Sequence, residues 1–264
     1  MAGDTLSERD LAEIERSAEE ARRTILEAPD RRQIDRYLSP PSDTPYSLEY
    51  AFYLLGNIRG KTVLDLGCGT GENVVPLVER GAQVMGIDIS PELIELARLR
   101  LQTAHVEAAL KIGSAYDTGL DRGSVDIIFC MALVHHLDIR RVRDEMLRIL
   151  ANGGVVILKE PIRFSEAYAF LRGLLPAQEN VSEFEHPLTR AELAMMTEHF
   201  DVREERYFRL PWLPLITGIL PLLSSAMWKV DGWVLRHCPP LRKYATVVAM
   251  RLVKSGGQGA AAIT

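Results

Sequence analysis

The feature of the sequence best suited to chemistry is a glycine-dense turn after a short apolar run. Residues 63–66 have the aliphatic and β-branched content of a buried strand. Gly67, Gly69 and Gly71 follow at once, and glycines allow the backbone to turn tightly and approach a ligand without obstruction by Cβ. Asp65 can accept hydrogen bonds from a ligand ammonium, while the N–H groups of the turn donate to a carboxylate. The pattern therefore indicates a ligand with an amino acid end.

The glycine spacing separates this turn from a dinucleotide-binding one. The dinucleotide fingerprint has a third glycine three positions after the second, and Glu72 stands at that position here. The Asp65 carboxylate would also repel a pyrophosphate. A nicotinamide-dependent oxidoreductase on a Rossmann-type sheet is therefore the less favoured alternative. A non-catalytic module that binds the same ligand is a second alternative.

The motif at residues 63–71 resembles the first motif of the class I S-adenosylmethionine-dependent methyltransferases. The resemblance covers about residues 45–160 by motif and implies S-adenosyl-L-methionine as the cofactor. It also implies methyl transfer by an in-line SN2 reaction, in which the sulfonium supplies the leaving group. The positions that carry over as cofactor-binding are Asp65, Gly67, Cys68, Gly69, Thr70, Gly71, Asn73, Asp88, Ile89, Ser114, Ala115, Tyr116, Cys130, Met131 and Ala132.

Asp88 and the loop at residues 114–116 each have a specific expected role. Asp88 ends a predicted strand, residues 82–87, at the edge where open α/β sheets bind ligands, and its carboxylate can accept both hydroxyls of a ribose. The alternative is that Asp88 caps the helix predicted over residues 91–102. In the resembling family, the loop that corresponds to residues 114–116 lies beside the adenine.

Two adjacent histidines follow residues 125–131, an apolar run typical of a central parallel strand. His135 or His136 would take a proton from a substrate hydroxyl or amine, and ordinary packing is the alternative. The sequence does not decide which histidine faces the site. In the resembling family, the strand after a glycine pair delivers a polar residue to the substrate side. By that resemblance Glu160, after the strand predicted at residues 155–158, is a second candidate for substrate orientation or for a base. An ordinary surface carboxylate is the alternative for Glu160.

Acceptor contacts are assigned to Tyr46, Tyr50 and His186. In the resembling family the segment before the first strand often covers the active site, which favours the two tyrosines. The Asn/Asp-Pro-Pro-aromatic motif of methyltransferases that act on base amino groups is absent after the fourth strand. This absence, the acidic net charge and the apolar segment at residues 210–235 together favour a small acceptor, apolar or lipid-like, that is methylated on oxygen, nitrogen or carbon.

The composition disfavours several other classes of protein. The chain has 264 residues and a formal net charge of -5, so it has no overall attraction to nucleic acid, and no nucleic-acid partner is predicted. Its three cysteines lie far apart without a Cys-x-x-Cys pair, which indicates a reduced, cytoplasmic protein. The N-terminus has no apolar core of the signal-peptide type. No His-Glu-x-x-His helix occurs, so no metal site is predicted.

The alternation of apolar runs and helical segments predicts a doubly wound, Rossmann-like α/β fold. By resemblance, its seven-stranded sheet is mostly parallel with an antiparallel last strand. The predicted strands cover residues 63–66, 82–87, 106–112, 125–131, 155–158, 200–209 and 244–253. The predicted organisation is a helical arm or lid at 1–58, a methyltransferase domain at 59–254 with an insert at 162–199 and an apolar cap at 210–237, and a disordered tail at 255–264.

An unusual apolar segment begins at Leu210 and ends at Leu235. Pro211, Pro214 and Pro221 interrupt it, which makes a bilayer-spanning helix a poor interpretation. Three interpretations remain, in order of preference: a cap that buries an apolar substrate, an interface between copies of the chain, and a peripheral membrane contact.

Overall fold

The computed structural model of the protein describes residues 8–23, 30–165, 186–211, 222 and 224–255. Parts of four predicted segments lie outside these residues. They are residues 1–7 and 24–29 of the N-terminal arm, 166–185 of the insert, 212–221 and 223 of the apolar cap, and 256–264 of the tail.

The strands form one seven-stranded sheet. In chain order they are β1 (Thr62–Leu66), β2 (Gln83–Asp88), β3 (Ala109–Ile112), β4 (Val125–Met131), β5 (Leu150–Pro161), β6 (Phe200–Phe208) and β7 (Val247–Lys254). Their order across the sheet is β3-β2-β1-β4-β5-β7-β6. All neighbours are parallel except that β7 runs antiparallel to both β5 and β6. The predicted fold class, including the antiparallel last strand, is confirmed.

Eight α-helices lie in the described part of the chain. They are α1 (Glu8–Arg23), α2 (Arg31–Leu38), α3 (Ser47–Leu54), α4 (Val74–Glu79), α5 (Pro91–Ala104), α6 (Ile139–Ile149), α7 (Arg190–Thr197) and α8 (Ser224–His237). Short 3₁₀ turns cover Val134–His136 and Pro239–Tyr244. No described helix has both the length and the apolar character that a bilayer-spanning segment needs.

Three strands, β3, β5 and β7, differ from their predicted bounds by three residues or more. β7 starts at Val247 rather than at 244, because residue 244 belongs to the preceding 3₁₀ turn. β5 starts at Leu150 rather than at 155, because a bulge keeps the glycine pair inside the strand: Val125 pairs with Leu150, whereas Ile127 already pairs with Val155. In the sequence, this glycine pair favours a loop. In the structure, backbone pairing with β4 keeps it within β5. β3 starts at Ala109 rather than at 106. α5 continues to Ala104, two residues beyond its predicted end, and closes with His105 in a left-handed conformation at φ 54°.

The sheet is covered on both faces, which explains its continuous apolar strands. Leu64 and Ile128 pack into one core with α6 and α7, and Val63 and Phe129 pack into the other with α3. The strand order reverses beside β1, since the chain continues to β2 on one side and returns to β4 on the other. Ligands of doubly wound sheets bind at such a switch point, beyond the carboxyl ends of the strands.

Candidate active site

A cavity of about 220 Å³ lies at this switch point, beyond the carboxyl ends of β1, β2 and β4. Eight of the predicted cofactor positions line it: Gly67, Gly69, Asp88, Ile89, Ser114, Ala115, Tyr116 and Ala132. His136, from the predicted catalytic group, lines the same cavity. The fold therefore brings residues from four separate loops to one place.

The three glycines of the turn all have left-handed φ angles, but they differ in what surrounds them. A Cβ at Gly67, where φ is +73°, would lie 2.8 Å from Leu133 Cδ1, and one at Gly71 would lie 3.1 Å from Ala97 Cβ. Gly67 and Gly71 thus allow close packing of the turn. Gly69 has nothing within 4 Å of its hypothetical Cβ and faces the cavity. Gly69 is therefore where the backbone is open to a ligand.

Asp88 lines the cavity and also fastens the turn to α5. Its Oδ2 accepts a hydrogen bond from Gly69 N at 2.9 Å, and its Oδ1 accepts one from Ser90 N at 3.0 Å. The side chain that caps α5 is that of Ser90, which accepts from Leu93 N. Asp88 is therefore not the helix cap, and its carboxylate borders the cavity.

Asp65 is buried directly before the turn, with only 1% of its surface exposed. Neither carboxylate oxygen has a hydrogen-bond partner among the described residues. Burial, assisted by the nearby Asp88 charge, raises the pKa of Asp65 to about 8. A buried carboxylate without partners is costly, and an incoming ammonium would relieve that cost. Its surroundings therefore fit a ligand with an amino acid end.

The predicted adenine loop lines the wall formed after β3. Tyr116 is held from two sides: its hydroxyl accepts from Asp138 N at 2.8 Å, and the guanidinium of Arg141 lies 4.3 Å from its ring centroid. Ser114 Oγ accepts a hydrogen bond from Tyr116 N. Leu133 and Leu137 complete an apolar wall near this loop, so the surface suits a flat heterocycle.

The two histidines have different environments. His136 lines the cavity, whereas His135 Nδ1 lies 2.8 Å from Glu160 Oε2. Glu160 is completely buried, and its Oε1 accepts hydrogen bonds from Leu133 N and Val134 N, each at 2.9 Å. Glu160 is therefore not a surface carboxylate. It anchors the loop that presents His136 rather than lining the cavity itself.

That loop contains a backbone conformation unusual for a residue with a side chain. Ala132 lines the cavity with φ +55°, and its N–H donates to Lys159 O at 2.7 Å. Left-handed conformations are unfavourable for alanine and persist where the surroundings enforce them. The hydrogen bonds to Lys159 O of β5 and to Glu160 Oε1 hold the loop in this conformation directly before the two histidines.

Several predicted cofactor positions lie outside the cavity lining. They are Asp65, Cys68, Thr70, Gly71, Asn73, Cys130 and Met131. Cys68 and Cys130 are buried in the two cores, where burial raises the pKa of each thiol. Thr70 contributes its carbonyl to Arg100 Nε at 2.9 Å. The side chains of Cys68 and Cys130 therefore pack in the cores on the two faces of the sheet rather than at the cavity.

The predicted acceptor contacts do not meet at this cavity. Tyr50 is buried in the core between Tyr53, Phe208 and the Arg206 guanidinium. His186 is half-exposed, with Nε2 3.6 Å from Glu192 Oε1. Tyr46 lines a second cavity, described below, which shares no lining residue with the first.

The sequence interpretation missed a contribution from α1. Arg16 and Ser17 line the cavity, Ala18 is buried, and α1 packs against α5. The amphipathic pattern of the arm favours a docked arm over a lid on a substrate, and in the structure α1 borders this cavity. The helical periodicity of the arm predicts that one face packs against the protein. It does not predict which element that face contacts. Among the described residues, no cluster of three or more His, Cys, Asp or Glu side chains is placed to hold a metal ion.

The chain matches a family model described as a methyltransferase domain over residues 64–158. It is 33% identical over 127 residues to the ubiquinone biosynthesis O-methyltransferase of Xanthomonas oryzae pv. oryzae, an overlap of 47% of this chain and 53% of that relative. The protein of the same name from Alkalilimnicola ehrlichii is 30% identical over 128 residues, with overlaps of 48% and 52%. The chain thus spans about half the length of these curated relatives.

Solved structures share the fold over a larger part of the chain. Phosphoethanolamine N-methyltransferase 1 of Haemonchus contortus has a TM-score of 0.61 at 18% identity and covers 98% of this chain and 52% of its own. Geranyl diphosphate C-methyltransferase of Streptomyces coelicolor A3(2) has a TM-score of 0.54 at 17% identity, with coverage of 86% and 89%. Residues 64–158 of the chain are therefore similar to a methyltransferase domain, and the chain shares its fold with these solved methyltransferases.

Proposed function

We propose that the protein transfers the methyl group of S-adenosylmethionine to a small acceptor bound beside His136. The observation that carries this proposal is that Asp88 and His136, from opposite sides of the switch point, line one cavity. When bound, the cofactor supplies an activated methyl group on a sulfonium. The protein then has to align the acceptor in line with that group and exclude water.

Each part of the cofactor has a partner of suitable chemistry among the residues of this chain. Asp65 would hold the ammonium, Gly69 would allow close approach of the backbone, and Asp88 would accept the ribose hydroxyls. The apolar wall with Tyr116 and Leu133 would take the adenine. The unpartnered oxygens of Asp65 and the open space at Gly69 support this assignment.

His136 would act on the acceptor, and Glu160 would act through the loop. An imidazole suits the removal of a proton from a hydroxyl near neutral pH. The carboxylate of Glu160 holds the N–H groups of residues 133 and 134 and contacts His135. We therefore assign Glu160 as a positioning residue rather than as a second base.

We further propose a lipid-like acceptor that is methylated on a hydroxyl oxygen, in a cytoplasmic protein. The curated relatives carry the name ubiquinone biosynthesis O-methyltransferase, which supports oxygen as the methylated atom. A base at the cavity is needed for a hydroxyl acceptor and dispensable for a free amine. Both observations favour a phenol or a similarly acidic hydroxyl over a carbon or nitrogen acceptor.

Calorimetry followed by a turnover assay tests this proposal. The protein should bind S-adenosylmethionine and not NAD, and mass spectrometry should detect the demethylated cofactor with phenolic, lipid-soluble acceptors. Binding of NAD instead would assign the cavity to an oxidoreductase. Cofactor binding without product across phenols, amines and carbon acceptors would identify a non-catalytic binding module.

Asp65 predicts a proton release that accompanies cofactor binding. With its pKa raised to about 8, Asp65 is mostly protonated at pH 7 in the ligand-free protein, and an adjacent ammonium would favour the ionised form. Binding at pH 7 should therefore release close to one proton, and the affinity should increase as the pH rises from 6 toward 8. Calorimetry in buffers with different ionisation enthalpies measures the released proton.

The variant Asp65→Asn is the matched control for this proton release. It should bind the cofactor more weakly and release no proton. Because the pKa of Asp65 in the folded protein exceeds its ordinary value of 3.8, ionisation destabilises the fold as the pH rises toward 8. Asp65→Asn should therefore be more stable than the parent at pH 8 without cofactor. Equal proton release by both proteins would contradict the ammonium assignment.

A further inference from the structure

Charge is distributed unevenly along this acidic chain. Residues 224–244, which comprise α8 and the following 3₁₀ turn, contain a single carboxylate, Asp231. The same segment carries four cations: Lys229, Arg236, Arg242 and Lys243. Asp231 is buried and accepts hydrogen bonds from the N–H groups of residues 209 and 210, at 3.1 and 2.9 Å. Its charge is thus directed inward, and the outer side of the segment is basic on a chain of net charge -5.

The outer face of α8 also exposes two apolar side chains one turn apart. Val230 is 51% exposed and Trp233 is 54% exposed, and residues three apart on a helix are neighbours on its surface. Lys229 and Arg236 are exposed on either side of them. Tryptophan with flanking cations on the outer face of a helix is typical of segments that lie in a membrane interface.

A groove of about 680 Å³ separates this face from the loop before α3. We call it the α8 groove; its lining includes Tyr46, Lys229, Trp233 and Arg236, together with Arg36 from α2. Two carboxylates also line it, Asp43 and Glu49, and Glu49 forms a salt bridge with Arg36. Three cations and two carboxylates therefore line the groove. The salt bridge pairs Arg36 with Glu49, which leaves Lys229 and Arg236 beside Asp43.

We propose that the outer face of α8 and the α8 groove dock on a bilayer that contains anionic phospholipid. Val230 and Trp233 enter the interfacial region, while Lys229 and Arg236 face the headgroup phosphates. Charge complementarity selects this occupant over a second copy of the chain, because a symmetric interface would bring the net positive charge of this face against the same net charge on the copy. The acidic remainder of the protein is repelled by the same surface, which fixes the orientation.

Co-sedimentation of the full chain with lipid vesicles tests the docking without cofactor or acceptor, so its outcome does not depend on the methyl-transfer proposal. Binding should occur with vesicles of phosphatidylcholine plus phosphatidylglycerol, not with phosphatidylcholine alone, and should weaken as salt is added. Lys229→Glu should reduce the partition coefficient about 25-fold, since each basic charge near such a surface contributes about fivefold. Trp233→Ser should reduce it about tenfold by removing the apolar anchor.

Matched controls come from exposed residues elsewhere on the fold. Arg122→Glu, in the loop before β4, and Leu99→Ser, on the exposed side of α5, should leave vesicle binding unchanged. Equal binding to both kinds of vesicle, or no binding to either, would overturn the proposal. A dimer in sedimentation velocity that Trp233→Ser abolishes would assign the face to a second copy of the chain and would also overturn it.

Discussion

Replacement of Asp88 with alanine is expected to weaken the binding of S-adenosylmethionine by about 100-fold or more. The Asp88 carboxylate lines the cavity at the end of β2, where it would accept both hydroxyls of the ribose. Hydrogen bonds to a charged group contribute about 1.5–3 kcal/mol each, and 1.4 kcal/mol corresponds to a tenfold change in affinity. Loss of two such bonds therefore gives this magnitude. Calorimetric titration with the cofactor measures it.

A control has to separate the ribose contact from the structural bonds of Asp88, which hold Gly69 N and Ser90 N. Ser90→Ala removes the side chain that caps α5 and should cost about 1 kcal/mol of unfolding free energy. It leaves the Asp88 carboxylate in place, so cofactor affinity should change little. Unchanged affinity in Asp88→Ala would refute the ribose assignment. An equal loss in Ser90→Ala would instead assign the effect to the start of α5.

Replacement of His136 with alanine is expected to slow methyl transfer by about 10²–10⁴-fold, the usual contribution of a general base. The reason is that His136 lines the cavity, whereas His135 contacts Glu160. Cofactor affinity should remain within about threefold of the parent value, because no cofactor contact is assigned to His136. Single-turnover rates with saturating cofactor, together with calorimetry, separate the two effects.

Glu160→Gln provides the matched comparison for His136→Ala. Glutamine keeps an oxygen that can accept the N–H groups of residues 133 and 134, and replaces only the oxygen that contacts His135. A positioning role predicts a small loss of rate and an unchanged pH dependence, whereas loss of His136 should remove the acidic limb of the pH–rate profile, where protonation inactivates a general base. Full activity of His136→Ala on a hydroxyl acceptor would exclude it as the base.

The two histidines show where the limit of sequence reasoning lies. The apolar run before the two histidines predicts that they lie near the end of β4. It does not predict which way their side chains point. Glu160 decides the orientation, because its buried carboxylate holds the loop and contacts His135 across 25 residues of sequence. Tyr50 is a parallel case, since its packing against Arg206 depends on β6, which lies more than 150 residues further along the chain.

The sequence by itself determined the succession of strands and helices, the glycine turn, and the presence of Asp65 within the first predicted strand and Asp88 directly after the second. These features depend on local sequence. The positive φ angles of the turn favour glycine, and continuous apolar runs predict strands in a sheet that is buried on both faces. Tertiary structure alone decided that α1 borders the cofactor cavity, that His136 rather than His135 faces it, and that α8 exposes Trp233 beside basic residues. These relations join residues far apart in the chain, and only the packing of the whole fold brings such residues together.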